Sequence, residues 1–313
     1  MQDRLYILSN RKILSFVPLC LNFYNKACSS CNSVKISMVK RIKKIGVIGA
    51  GTMGRGIAQV FALYNFPVVL IDDKEIILRD ALEKIKIHTA PDLHDKVADL
   101  IETSSEVKKV EDCDLVIEAV FENMGIKKEV LKILSSVCQK NALIATNTSS
   151  FSIDELAKEV DDPSRFIGMH FMNPPKVMKL VEVIKGNKTS EETTNSVVDL
   201  AKKIEKIPAV VNDAPGFVSN RLLFSLIGEA LWLLEKGIAA KEDIDRVIKY
   251  GMNHPLGPIE LADFIGLDVC LDIMSYLYES LGRDNYRPPP CLLSLVTEGK
   301  LGKKSGEGFY KYS

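Results

Sequence analysis

Apolar residues along this chain fall in short dense blocks separated by stretches of helical period. Ile45, Val47 and Ile48 make the first block, Val68, Val69, Leu70 and Ile71 the second, and Leu115, Val116 and Ile117 the third. Such runs lack polar alternation, as expected of strands covered on both faces of a parallel sheet. Between the first two, Gly56, Ile57, Val60, Phe61 and Leu63 share one helical face, and Pro67 ends it. Residues 76–87 read as a helix and 93–101 as a second, a short hairpin broken at 88–91. A helix over 127–139, a strand over 142–145 and a helix over 153–160 follow, the last with Ser152 as N-cap and Glu155 completing a capping box. Strands over 166–169 and 179–184, a helix over 191–206 and a strand over 209–211 continue the alternation, which predicts an α/β, doubly wound sheet. From residue 220 the pattern is helical throughout (222–236, 241–250, 259–281). Residues 288–290 form a stiff proline loop and 302–308 a glycine-rich basic one. The expected organisation is an extension over 1–40, an α/β domain over 41–218 and a smaller all-α domain over 219–313, with the boundary near Gly216.

The first strand runs into Gly49, Gly51 and Gly54 at G-x-G-x-x-G spacing, and the second ends at Asp72. The first glycine permits a tight turn, the second lets a pyrophosphate approach the backbone, and the third lets the helix pack closely. The helix then offers its N-terminal N–H groups to the phosphates. Asp72 can accept from both ribose hydroxyls and repels a 2′-phosphate, which points to NAD rather than NADP. Strand, glycines, helix, strand and acid within one short unit make a Rossmann-type cofactor domain the expected reading.

Composition narrows the function classes. Lysine plus arginine equals aspartate plus glutamate at 41 each in 313 residues, so no global field recruits nucleic acid or an anionic membrane. No apolar run reaches the roughly eighteen residues needed to span a bilayer. Seven cysteines (Cys20, Cys28, Cys31, Cys113, Cys138, Cys270, Cys291) are scattered, which suits a reducing compartment. Cys28 and Cys31 form a lone C-x-x-C that cannot complete a four-ligand zinc site, and no metal is expected. The first 44 residues hold a single acid, Asp3, and an apolar patch broken by Pro18. They read as a non-native upstream start, with Met38 opening a cytoplasmic protein; the alternative is a transit peptide to the mitochondrial matrix.

Ligands of open α/β sheets sit beyond the carboxyl ends of the strands. Glu122, Ser149 and His170 each follow such an end. A dehydrogenase acting on an alcohol needs a base for the hydroxyl proton, and histidine titrates near neutrality. Of four histidines only His170 directly follows a buried strand. His88 and His94 belong to the polar part of the hairpin, and His254 to a turn. Glu182 lies in the next apolar strand, where a carboxylate is costly without a partner. It either orients His170 and stabilises its imidazolium or faces water at a strand edge.

The stretches VIGAGTMGRGIAQVFA, DCDLVIEAV, ATNTSSFSI, IGMHFMNPPKVMKLVEVI, APGFVSNRLL, NHPLGPIELADFIGLD and GKKSGEGFYKY carry a family likeness. From about residue 38 onward the chain resembles the L-3-hydroxyacyl-CoA dehydrogenases, most of all the short-chain 3-hydroxybutyryl-CoA type. The resemblance implies a reversible oxidation of (S)-3-hydroxyacyl-CoA with NAD, as in fatty-acid β-oxidation. It further implies His170 as base, Glu182 as its orienting partner, and Ser149 and Asn220 bonded to the reacting oxygen or thioester. Gly49, Gly51, Thr52, Met53, Gly54, Asp72, Glu122, Lys127, Asn147, Asn173 and Lys304 would contact NAD. The helical domain would form a homodimer and close over the acyl group. The hairpin between Asp72 and Asp112 is shorter than in the family, where it helps hold CoA, and Asn173-Pro-Pro175 replaces the usual N-P-small sequence. No hydratase domain is fused, which argues against a multifunctional protein. Two other readings stay open at this point: a dehydrogenase of a free hydroxy or sugar acid such as gulonate, and a non-catalytic NAD-binding protein.

Overall fold

Strand β1 (Ile45–Ile48) is buried at every position, as its unbroken apolar run requires. Helix α1 (Thr52–Leu63) follows and returns the chain to β2 (Val68–Ile71), which pairs parallel with β1, Ile48 beside Ile71. Ile57, Val60 and Phe61 of α1 are sealed against the sheet, each contributing roughly 1.5–3 kcal/mol by burial. The computed structural model describes residues 40–312. The expectations for the N-terminal extension, with Cys20, Cys28 and Cys31, lie outside the described residues.

Helices α2 (Glu75–Ile87) and α3 (His94–Asp99) form the expected hairpin, packed on α1. Buried Gln59 of α1 ties them together, donating to Ile85 O at 3.3 Å and to the Thr89 hydroxyl at 2.9 Å. The second helix stops short of residue 101. Ile101–Ser104 is instead a strand, β3, paired in parallel with β2. Only Ile101 of its four residues is buried, so this short edge strand carries almost no apolar pattern.

The chain continues through β4 (Leu115–Glu118), α4 (Met124–Val137), β5 (Leu143–Thr146), α5 (Ile153–Leu156) and β6 (Phe166–Phe171). It ends the sheet with β7 (Leu180–Lys185), α6 (Glu191–Lys203) and β8 (Ile207–Asn212). Ser152 caps α5, its hydroxyl accepting from Glu155 N at 3.2 Å. The Glu155 carboxylate turns away to Lys128 and Lys158, so the capping box closes on one side only. The strand order is β3-β2-β1-β4-β5-β6-β7-β8. Order reverses between β1 and β4, and that switch point is where a doubly wound sheet opens its crevice.

Two local differences matter for the site. Strand β6 runs on to Phe171, so His170 lies inside it rather than beyond its end. Strand β7 pairs antiparallel with β6. Residues 172–179 contain no helix, and a parallel return needs a crossover of about a dozen residues or more.

After β8 the chain passes through Gly216 (φ +71°) and Phe217 (φ +51°). It then enters α7 (Ser219–Glu235), α8 (Lys241–Arg246), α9 (Pro258–Ile265), α10 (Leu267–Leu281) and α11 (Pro290–Thr297). These helices share their own core around Phe224, Leu231, Ile259, Met274 and Leu277. The stretch expected as one helix over 259–281 is broken at Gly266, whose φ is +107°. Pro290 begins α11 rather than extending a loop, since proline suits the first helical turn where its missing N–H costs nothing. Buried Asp263 fastens the C-terminal segment, accepting from Phe309 N, Tyr310 N and the Tyr312 hydroxyl.

The glycine turn is closely packed against the start of α1. A Cβ on Gly54 would lie 1.7 Å from Gly49 O. Gly54→Ala should therefore destabilise the protein by about 3 kcal/mol or more, the upper end of overpacking costs, read as a drop in the midpoint of urea unfolding. An unchanged midpoint would mean that α1 need not touch the turn.

Candidate active site

The crevice between the carboxyl ends of β1 and β4 is lined first by backbone. Gly49 has φ +98°, and a Cβ there would meet Ala119 O at 2.7 Å. Gly51 faces open space, with nothing within 4 Å of an added Cβ. No side chain caps α1, so the N–H groups of its first residues, including Thr52 and Met53, are free for an anion. Asp72 stands beside the turn, accepting from Ala50 N at 2.8 Å and Lys74 N at 3.1 Å. Open space at the middle glycine, uncapped N–H groups and a carboxylate at the end of β2 fit an NAD pyrophosphate and ribose.

A buried ion cluster backs this crevice. Glu118, wholly buried at the end of β4, accepts from Lys127 Nζ at 2.8 Å, Val120 N at 2.8 Å and the Thr146 hydroxyl at 2.6 Å. Lys127 also meets Glu122 at 3.2 Å and Val120 O at 3.3 Å. Its three protons thus find three protein acceptors, and its side chain is 1% exposed. Lys127 is thus buried between Glu118 and Glu122, at the back of the crevice. The Glu122 carboxylate accepts from the Thr148 hydroxyl at 2.6 Å, Ser149 N at 2.9 Å, and the Ser149 and Ser150 hydroxyls at 3.2 and 3.1 Å. Burial raises the Glu122 carboxyl. The Lys127 charge and the bonds from Thr148 and Ser149 outweigh it and hold the group below its ordinary range.

The second cluster centres on β6 and β7. His170 and Glu182 are direct partners in the antiparallel register, which brings side chains on one face within reach. His170 Nδ1 lies 2.9 Å from Glu182 Oε2. An ionised carboxylate only accepts, so Nδ1 carries the proton and Nε2 is the basic nitrogen. Nε2 has no hydrogen-bond partner among the described residues. Glu182, 1% exposed, also accepts from Val218 N (3.2 Å), Ser219 N (2.8 Å) and the Ser219 hydroxyl (2.6 Å). Burial raises its carboxyl, but the bonds from His170 and Ser219 prevail and hold it below the usual range.

Asn220 joins the two clusters, donating from Nδ2 to Ser149 O at 2.8 Å. Asn147 is buried, and its Oδ1 accepts from Phe171 N at 3.0 Å, fixing the end of β6. Asn173 is exposed on the turn after β6 and forms a cis peptide with Pro174. Lys304 pairs with Asp268 at the start of α10 and has no hydrogen bond to the other named residues. His254 and His88 are exposed, and His94 turns its ring to Thr89 O. Several residues of these clusters were not singled out from sequence, Glu118 and Ser219 among them. Glu118 had a visible signal, a carboxylate closing an all-apolar strand. Ser219 had none.

A family model described as the 3-hydroxyacyl-CoA dehydrogenase NAD binding domain matches residues 44–214, and the model of the C-terminal domain matches residues 216–312. The chain belongs to the 3-hydroxyacyl-CoA dehydrogenases. A probable 3-hydroxybutyryl-CoA dehydrogenase of Deinococcus radiodurans is 49% identical over 277 residues, 86% of this chain and 100% of the relative. The 3-hydroxybutyryl-CoA dehydrogenase of Clostridioides difficile is 43% identical over 279 residues, 86% and 99% of the two chains. The crystal structure of (S)-3-hydroxybutyryl-CoA dehydrogenase from Ralstonia eutropha superposes with a TM-score of 0.83 at 40% identity, covering 87% of this chain and 100% of that one. As a 3-hydroxyacyl-CoA dehydrogenase, this chain is an NAD-dependent oxidoreductase of the CH–OH group. A free hydroxy or sugar acid as substrate is not better supported.

The depressed Glu182 carboxyl makes a pH prediction for this 3-hydroxyacyl-CoA dehydrogenase. A folded-state pKa below the unfolded one contributes stability above the unfolded value, lost as pH falls through the folded one. Wild type should be more stable than Glu182→Gln at neutral pH, and the gap should narrow below about pH 4, the ordinary carboxylate range. Thermal melts of both proteins across pH 3–8 (roughly the span that brackets that range) read this directly. A gap independent of pH would place the ionised carboxylate outside the folding balance.

Proposed function

We propose that His170 is the general base of the (S)-3-hydroxyacyl-CoA oxidation and that Glu182 sets its tautomer. The observation that carries this reading is the 2.9 Å pair between His170 Nδ1 and Glu182 Oε2, which leaves Nε2 as the acceptor for the 3-hydroxyl proton. When that proton arrives the imidazolium is stabilised by the carboxylate, which itself stays ionised. NAD, when bound, accepts the hydride from the same carbon. The 49–54 turn and Asp72 would hold it, with Glu122, Asn147 and Asn173 bordering the nicotinamide side. Ser149 and Asn220 would bond the reacting oxygen or the thioester. In this reading residues 41–218 carry the cofactor and residues 219–313 close over the acyl chain.

The substrate we propose is a short acyl-CoA, 3-hydroxybutyryl-CoA, because relatives 40–49% identical and matched over 99–100% of their length bear that name. We also propose a homodimer through the helical part, where Leu222, Tyr250, Met252 and Phe264 are left exposed. The cytoplasm is the proposed compartment, in keeping with the free thiols of Cys113, Cys138, Cys270 and Cys291. No helix among the described residues is long and apolar enough to cross a membrane.

His170→Gln should lower turnover by about 100-fold to 10,000-fold, the worth of a positioned base, while NAD titration by fluorescence gives an unchanged affinity. Turnover near wild type would remove His170 from the reaction. Steady-state rates with NADH and 3-oxoacyl-CoAs of increasing length should be highest for acetoacetyl-CoA. A maximum at long chains would displace the short-chain assignment.

A further inference from the structure

Glu182 is bonded from two directions. One donor, His170 Nδ1, comes from the sheet, and three come from the entry to α7: Val218 N, Ser219 N and the Ser219 hydroxyl. The hydroxyl and the imidazole share the same oxygen, Oε2, at 2.6 and 2.9 Å. The following residue, Asn220, donates to Ser149 O at 2.8 Å. Phe217, just before them, is held at φ +51°, a region that costs a bulky residue of order 1–3 kcal/mol. Its ring sits 6.0 Å from the His170 ring. Four consecutive residues at the start of the helical part thus meet the imidazole, its carboxylate and the serine loop.

We propose that Ser219 is a positioning residue that acts on His170 through Glu182. The inference rests on the reading of His170 as base and goes beyond it by naming what sets the base's strength. A carboxylate oxygen that accepts a short hydrogen bond from a hydroxyl has less negative charge to offer a second donor. Ser219 therefore moderates the pull of Glu182 on Nδ1–H and weakens the carboxylate's stabilisation of the imidazolium formed when Nε2 takes a proton. The donor also belongs to α7, so the strength of the base depends on how the helical part is seated on the sheet.

The other groups around Glu182 do not compete for this role. On β8 its register neighbour is Ala209. Helix α6 covers the opposite face, where Val181 and Val183 cluster with Val197 and Leu200. Besides burial, the groups that act on the Glu182 carboxylate are His170 and Ser219. His170 is the titratable partner that Glu182 meets.

The test is the pH dependence of kcat/KM for NAD-linked oxidation of (S)-3-hydroxybutyryl-CoA by wild type, Ser219→Ala and Ser219→Thr. Without the hydroxyl, Glu182 Oε2 stabilises the imidazolium more strongly. The acidic limb for Ser219→Ala should then move up by about half to one pH unit, within the usual effect of one charge-assisted bond, with kcat down about threefold to tenfold. Ser219→Thr, which keeps the hydroxyl, should restore the wild-type midpoint. A superimposable alanine profile, a slower rate with the midpoint unmoved, or a threonine variant that behaves like alanine would each overturn the proposal. His170→Gln assayed alongside keeps the two readings apart. If it is inactive while the alanine midpoint stays put, His170 remains the base and only the role of Ser219 falls. If it turns over like wild type, the base assignment itself is lost.

Discussion

Glu182 faces His170 across the one antiparallel pairing that the sheet has among the described residues, between β6 and β7. Parallel neighbours are reached only through a long crossover, and a helix would then separate the two residues in the chain. The short return over residues 172–179 makes them direct cross-strand partners instead. The pairing has a cost: two ionisable groups sit in a nearly dry site. Four donors on one carboxylate offset its desolvation, and breaking a buried arrangement of this kind typically costs about 3–5 kcal/mol. The imidazole is held rigidly because its partner is.

The cofactor side follows the same logic with different residues. Glu118 closes β4 at the switch point, beside Ile48 in the register, and cannot be there unpaired. Lys127 from α4 neutralises it and reaches on to Glu122, which gathers the hydroxyls and N–H groups of the 148–150 loop. Fixed charge behind the crevice thus organises the polar loop in front of it. Asn220 then ties that loop to α7, so the cofactor crevice, the dyad and the helical part are mechanically one site.

Legibility in the sequence followed burial and locality. Strands covered on both faces announced themselves as apolar runs, and β1, β2, β4 and β5 fall within a residue or so of their expected places. The edge strand β3 was invisible because only Ile101 is buried. Helix α11 was hidden by reading Pro290 as part of a stiff loop when it opens a helix. The single helix expected over 259–281 is two, since a glycine at positive φ is a break that periodicity does not register. At the site, His170 stood out as the histidine directly following a buried strand, and Glu182 as a carboxylate within an apolar one. Ser219 did not, because its partner lies 37 positions away.

Local order therefore settled most of the buried strands and their helices, where the glycine turn would sit, and which cofactor its neighbouring acid prefers. These depend on residues within one or two elements of each other. The antiparallel turn of β7, the pairing of Lys127 with both Glu118 and Glu122 and the grip of α7 on Glu182 were decided only in three dimensions. Each joins groups carried by different elements, whose partners are chosen by desolvation: a buried charge or donor takes whichever acceptor the packed elements bring to it. No pattern along a single strand or helix records that choice.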